Sequence, residues 1–571
     1  MVVLKPDVPF GHAPHPQTPF SILTNLPGWE LTKSIREGDK SSLARIKHIY
    51  PRFCPWGHAA QLGTEIAKRT GHEGKVAMPF LNPATWSYCL RHSTSSLRDE
   101  EKVEPSATTV ECVSINGERI FVVLFEPQHG GAFMSAWQNC GLGVSQRHAE
   151  KLLGSIEELK RIEGDLEHVP EPTWIAEDGS HEALRERIVE LLHRAPRNPE
   201  NVKCTTKDVF LYPTGMAAIW YMATWLSELR PGSAVVMGIP FHNTYHHLVE
   251  EAKGGLVNFG AVDEKGLDEF ETWLDKETAE GRKVSWVYAE FPGNPSLETP
   301  DIDRLKALSE KHDFVFIIDD TISGFANVDV LDRCDMLLSS LTKSFNGLAN
   351  AMGGSIVLNP LSPHYSILSK HWTSSFNNEL FVSEAAVLLQ NSKGFLDRTA
   401  RFNRNALAIA EHLQNNWVGK PNSPVTAVRY PPLLSTKASY DRFLRPSTSE
   451  LPSPGYGCLL TVDFASEALT AVFYDRLGYL PTTHLAAPET LHFAYNMLVF
   501  GKKAEEREKM RRFGLKEEAV RISAGWKESV EDLIETLEDA LKTTSEAMVN
   551  GNGTKKPVNG NGVEPSVNGS S

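Results

Sequence analysis

An α/β fold with a mostly parallel central sheet, a smaller C-terminal α+β domain and an N-terminal extension is what this 571-residue sequence predicts. Two observations predict it. Between about 175 and 370 six short apolar runs ("DVFLYP", "AVVMG", "VSWVYAEF", "FVFIID", "MLLSSL", "GSIVLN") alternate with segments of helical periodicity such as "MAAIWYMATWLSEL" and "DIDRLKALSEKH". Strands that are apolar throughout, separated by helices, belong to an open parallel sheet covered on both faces. A later section holds "GCLLTVDF", "AVRISAG" and the terminal helix "VEDLIETLEDALK", with Ser529 and Asp532 at the spacing of a capping box.

The remaining elements follow in order. The first 30 residues, rich in Pro and His, read as an extended arm. Two strands, "TVECVSI" and "ERIFVVLFEP", flank an Asn-Gly turn signal, and "SQRHAEKLLGSIEELKRIEG" reads as one helix with Leu152, Leu153, Ile156 and Leu159 on a face. A long helical region, about 376–416, leads into the last folded section. The domains are therefore expected at 1–170, 171–372 and 373–546. The Gly/Asn/Ser-rich tail at 547–571 has little apolar surface to bury and is expected to be disordered.

Composition narrows the function. A net charge of -14 argues against nucleic-acid backbone binding, and no apolar run approaches a membrane span. The N-terminus lacks the pattern of a signal peptide, and seven scattered cysteines without a CxxC suit reduced thiols in the cytoplasm.

In "CDMLLSSLTKSFNGLANAMGGSIVLN" one lysine, Lys343, stands alone among small, polar and apolar residues after a strand. A desolvated lysine there has a lowered pKa and serves as a base or forms a Schiff base; a lysine whose stem packs while its head reaches solvent would read the same. "FVFIIDDT" ends a strand at Asp319, in the place of an acid that pairs with a pyridine nitrogen, although turn aspartates are common there. In "YPTGMAAIW", Thr214 and the amides of Gly215 and Met216 point at an anion from a helix N-terminus, or form an ordinary cap. Ser340 and Thr342 add hydroxyls. Arg521 is a candidate carboxylate clamp, or a surface strand arginine.

These residues, in this order, resemble the Cys/Met-metabolism family of pyridoxal-phosphate (PLP) enzymes. "TGMAAI", "FPGNPSLETPDI", "IIDDT", "SSLTKSFNG" and "RISAG" are similar to five motifs of that family, spread over about 310 residues. "LPGWE", "YPRF" and "GLGVSQRHAEKLL" extend the likeness to fungal cystathionine γ-synthases. The resemblance implies PLP-dependent transferase fold type I, with 171–372 as the PLP-binding large domain. It implies PLP on Lys343, Asp319 at the ring nitrogen, Asn294 beside the ring and Arg521 on the substrate carboxylate. It also implies a homo-oligomer, dimeric or tetrameric, in which a neighbour's Tyr and Arg reach the phosphate; Arg147 is the candidate arginine, with no accompanying tyrosine.

The chain departs from the family at two places. Phe241 falls where relatives stack a tyrosine on the ring, so Tyr245, four residues on, is the expected substitute proton carrier. The substrate loop Ser-Leu-Gly-Thr is absent, and the region reads "LGYLPTTHLAAPET". His242, His246 and Glu250 have helical metal-ligand spacing, but the implied chemistry needs no metal. The expected reaction is γ-replacement on an O-acyl-L-homoserine with cysteine as nucleophile. Its alternatives are a secondary-metabolism γ-synthase using a carbon or nitrogen nucleophile, and a non-catalytic PLP-binding homologue.

Overall fold

The computed structural model describes residues 2–14, 20–163, 171–172 and 174–551. Three sheets organise them. The first is antiparallel, in the order β1-β3-β2-β4: β1 (Val76–Phe80), β2 (Thr109–Ile115), β3 (Glu118–Phe125) and β4 (Lys160–Ile162). Asn116 and Gly117 both take positive φ, 49° and 80°, which matches the twist of a two-residue hairpin.

Alternation along β3 explains its unbroken apolar run. Ile120, Val122 and Leu124 pack with Leu62, Ile66 and Leu152 of two covering helices. Phe121, Val123 and Phe125 join a second core shared with the helix Gly215–Leu229 and the central sheet. Buried on both faces, this unit is fused to the half of the molecule that carries the central sheet. The long helix expected after it stops at Leu153, one residue before Gly154. A 3₁₀ turn at Ile156–Glu158 follows, and β4 pairs with β2 instead. A helical glycine is costly, and the sheet edge offers the backbone better partners.

The central sheet contains β5 (Val209–Tyr212), β6 (Ser233–Met237), β7 (Leu256–Phe259), β8 (Val284–Glu290), β9 (Val315–Asp319), β10 (Met336–Ser339) and β11 (Gly354–Leu358). Its order is β5-β11-β10-β9-β8-β6-β7, and β11 alone runs against its neighbours. On β9, Phe316 and Ile318 serve one core while Val315 and Ile317 serve the other. The six predicted strands are all present; β7 is an addition.

The third sheet, β12-β13-β16-β15-β14, is built from β12 (Val425–Arg429), β13 (Leu459–Phe464), β14 (Leu480–Pro481), β15 (Leu491–Phe493) and β16 (Ala519–Ser523). Helices Phe395–Asn416 and Val530–Val549 cover it, and Ser529 caps the second by accepting the amide of Asp532 at 3.1 Å. That helix continues three residues past the expected boundary at 546; residues 552–571 lie outside the described residues.

The N-terminal arm is extended but docked. Val2 and Leu4 donate their amides to Asp532 and Thr536, and Ile22 and Leu26 donate theirs to the carbonyls of Ala349 and Pro481. A helix then starts at Trp29, which is fully buried. The segment that follows runs across the C-terminal ends of the central strands.

Candidate active site

β8, β9 and β10 are parallel and in register, with Glu290 opposite Asp319 and Asp319 opposite Leu338. Glu290, Asp319 and the residues after Ser339 therefore leave the sheet at its C-terminal edge, the usual ligand side of such sheets. A cavity of about 720 Å³ opens there.

One wall is anion-binding. Thr214 caps the helix Gly215–Leu229, accepting the amide of Ala217 and donating to the carbonyl of Gly141, each at 2.9 Å. The amides of Gly215 and Met216, in the helix's first turn, face the cavity with Ser340 and Thr342. Gly215 is required by closeness: a Cβ there would lie 2.9 Å from the Cβ of Ser340. Thr342 and Gly353 exchange two hydrogen bonds, at 3.2 and 3.0 Å, which fix the backbone on which Lys343 stands.

Lys343 lines the cavity, and its Nζ lies 3.1 Å from Nδ1 of His484 and 5.3 Å from the ring centre of Tyr50. Desolvation, reinforced by the positive charges of Arg52 and Arg521, drives its amine well below the usual lysine range. Also lining the cavity, Asp319 accepts the hydroxyl of Tyr288 at 2.8 Å and the amide of Thr321 at 2.9 Å. Glu290 accepts the amides of Phe241 and Asn294, at 2.5 and 2.9 Å. Burial raises both carboxyls, and Asp319 pushes Glu290 up further. A protonated pyridine nitrogen fits such a pair, because it gives one carboxylate a partner.

Two buried guanidinium groups complete the cavity. Arg521 donates to Asn294 Oδ1 at 3.2 Å and to the carbonyls of Thr483 and His484 at 3.2 and 3.3 Å, and it stacks on Tyr495 at 4.4 Å. Arg52 donates to the carbonyl of Gln138 and to Asn243 Oδ1, both at 3.1 Å, over the ring of Phe241. Among the described residues neither pairs with a carboxylate. A buried cation without a counter-ion is a place for an anion from outside.

Ten sequence-designated residues thus line one cavity: Lys343, Asp319, Thr214, Gly215, Met216, Phe241, Asn294, Ser340, Thr342 and Arg521. Tyr245 and Arg147 do not. Phe241 is the non-helical N-cap of His242–Glu251, so the next turn of the helix does not repeat its direction. The hydroxyl of Tyr245 instead takes a hydrogen bond from Lys509. Arg147 is spent within its own chain, on Glu384 at 2.6 Å and the carbonyl of Asn350 at 2.9 Å. A closely spaced Tyr and Arg that do line the cavity, within the same chain, are Tyr50 and Arg52. "YPRF" held that signal, a tyrosine and an arginine two residues apart. Glu290 was legible as an acid at a strand end, like Asp319. Nothing in the sequence singles out His484 or Tyr495.

The histidine cluster forms differently from its spacing. His242 and His246 approach Glu506, with His246 Nε2 3.7 Å from its carboxylate, while Glu250 pairs with His92 and Arg98. Arg98, Lys503 and Lys509 all set positive charge against His246, which opposes a dication there.

A strand-end lysine, an acid for a ring nitrogen, a helix-N-terminal phosphate cup and a type I sheet define a PLP-dependent enzyme. The chain belongs to the Cys/Met-metabolism family of PLP-dependent enzymes, whose profile matches residues 204–542. It is 30% identical to the cystathionine gamma-synthase-like enzyme iboG2 of Amanita muscaria, over 96% of this chain and 98% of the relative. It is 26% identical to the cystathionine gamma-synthase of Neurospora crassa, over 93% and 97% of the two chains. The crystal structure of cystathionine gamma synthase from Xanthomonas oryzae pv. oryzae shares the fold, with TM-score 0.51 and 22% identity over 65% of this chain and 87% of that one. Among the described residues no helix is long and apolar enough to cross a membrane.

Proposed function

We propose that the chain catalyses γ-replacement on an O-acyl-L-homoserine, with the cysteine thiol as nucleophile, in the manner of a cystathionine γ-synthase. One observation carries this reading: two buried arginines that pair with no carboxylate among the described residues, Arg52 and Arg521, line the cavity with Lys343. Arg52, with Thr214, Ser340, Thr342 and the helix amides, suits a phosphate. Arg521, steadied by Asn294, suits the α-carboxylate of an amino acid.

When bound, PLP supplies an electron sink for charge developing at the substrate's Cα. The chain's residues do the rest. Asp319 would hold a proton at the ring nitrogen, with Glu290 beside it on the next strand. Arg521 and Asn294 fix the carboxylate and so orient the Cα–H bond toward Lys343. Lys343, held toward its neutral form, would take the Cα proton, return it to carbon, and as the free amine again take one from Cβ, so that the γ-ester can depart. Phe241 would pack against the ring and can move no proton. The experiment is mass spectrometry of products from PLP-loaded protein given O-acetyl-L-homoserine, with and without cysteine. Cystathionine forming only with cysteine is the expected result; no consumption of the ester refutes the reading.

A second reading keeps the same electrophile-forming half and joins the C4 unit to a carbon or nitrogen nucleophile in secondary metabolism. The apolar part of the cavity lining favours it, including Ile35, Leu43, Ile46, Ile49, Met134 and Val499. Ester consumption giving 2-oxobutyrate without cystathionine would select it. The resemblance supports a homo-oligomer, and the seven free cysteines support the cytoplasm.

A further inference from the structure

The region that departs most from the family, "PTTHLAAPET", delivers a side chain to the lysine itself. His484 lies between β14 and β15, is 1% exposed, and its Nδ1 is 3.1 Å from Lys343 Nζ. Its imidazole stands edge-on to the ring of Tyr50, 5.7 Å away, and its Nε2 has no hydrogen-bond partner among the described residues. The segment is clamped at two points. Arg521 takes the carbonyls of Thr483 and His484, and Ser523 accepts the amide of Ala486 at 2.9 Å. Ala486 sits at φ 59°, a left-handed conformation that a residue with a Cβ adopts at a cost. The loop is therefore held in one shape by the same strand, β16, that carries the carboxylate clamp.

The charges around His484 define what it can do. Lys343, Arg521 and Arg52 all press on it, and burial adds to them, so the imidazole stays neutral. A ring that resists protonation is a poor base. It is a good acceptor, and the N–H groups of Lys343 are the donors within reach.

Resting on the function proposed above, we infer that His484 is the positioning residue of Lys343. Its neutral Nδ1 accepts an Nζ–H, aims the lysine into the cavity, and leaves with Lys343 the proton taken from the substrate. The proton moves only between carbon and Nζ; the imidazole neither gains nor loses one. This is a device for a site whose stacked ring, Phe241, has no hydroxyl.

The test compares His484→Leu, which removes the acceptor, with His484→Gln, which restores one. In PLP-free protein, acetic anhydride labelling of Lys343 is followed against pH by quantitative mass spectrometry. The groups facing Lys343 besides His484 are Arg52, Arg521, Cys458 and Tyr50, and both variants leave them in place. Losing an acceptor that favours the ammonium lowers the labelling midpoint by about one pH unit in the Leu variant, and Gln returns it toward the starting value. In PLP-loaded protein, exchange of the Cα and Cβ hydrogens of L-norvaline for deuterium is read by NMR. It slows about tenfold or more with Leu and recovers with Gln, while PLP stoichiometry is unchanged. Borohydride reduction and peptide mapping separate the two claims. Reduced cofactor on a residue other than Lys343 overturns the functional reading and this inference together. Cofactor on Lys343, with midpoint and exchange alike in all three proteins, overturns the inference alone.

Discussion

Glu290 and Asp319 are paired in register on adjacent parallel strands, and both carboxyl groups line the same cavity. Without a cation between them the two repel, and burial raises both. A carboxyl with a raised folded pKa favours the fold while protonated, below its unfolded value of about 4.5, and that contribution is lost as pH rises through the folded pKa. PLP-free protein should therefore lose thermal stability as pH climbs from about 4.5 through the folded pKa. Glu290→Gln should flatten the decline, as read by melting temperature across pH. An unchanged slope would place the carboxyls too far apart to interact.

Asp319→Asn keeps the shape but cannot hold a positive ring nitrogen. Turnover should fall by about two to four orders of magnitude, with KM changed little, in steady-state assays.

Arg521→Lys removes the planar fork that reaches Asn294 and the loop carbonyls. The KM for the amino-acid substrate should rise about tenfold or more, because a lysine cannot replace a bidentate contact. A variant with unaltered KM would remove Arg521 from substrate binding.

Tyr245→Phe should leave turnover within about twofold, since its hydroxyl meets Lys509 outside the cavity. A loss of a hundredfold would restore it as the proton carrier.

Mixing chains carrying Lys343→Ala with chains carrying Arg52→Ala tests where Arg52 acts. If each arginine serves its own chain's cavity, every site in a mixed oligomer keeps one defect and activity does not return. A site shared between neighbours would contain one intact copy and recover a measurable fraction of activity.

The central sheet was legible because its strands are apolar throughout and end in polar residues with distinct roles. The strand end at Asp319, the lysine after β10 and the helix start at Thr214 each follow from local chain order, while Phe241 and Asn294 could be placed only through the family resemblance; all line the cavity. Residues brought in from distant segments could not be read that way. Arg52 and His484 reach the cavity through packing of the first and last thirds of the chain against the middle, and no local periodicity encodes that meeting. Arg147 came from the family resemblance; within its own chain it pairs with the buried Glu384, and an arginine near a helix start looks alike whether it binds phosphate or makes such a pair. Helical spacing also misplaced Tyr245, since Phe241 lies just before the helix rather than in it.

The docking of the arm has a consequence for biosynthesis. Val2 bonds to a residue 530 positions later, and Lys343 to one 141 positions later. A ribosome releases Tyr50 and Arg52 long before the segments they will face exist. The cavity therefore closes only when nearly the whole polypeptide has emerged, and a nascent chain that already holds Lys343 still has no finished place for its cofactor. Loading with PLP becomes a late event, and premature termination anywhere before β16 yields a chain without Arg521 to receive a substrate.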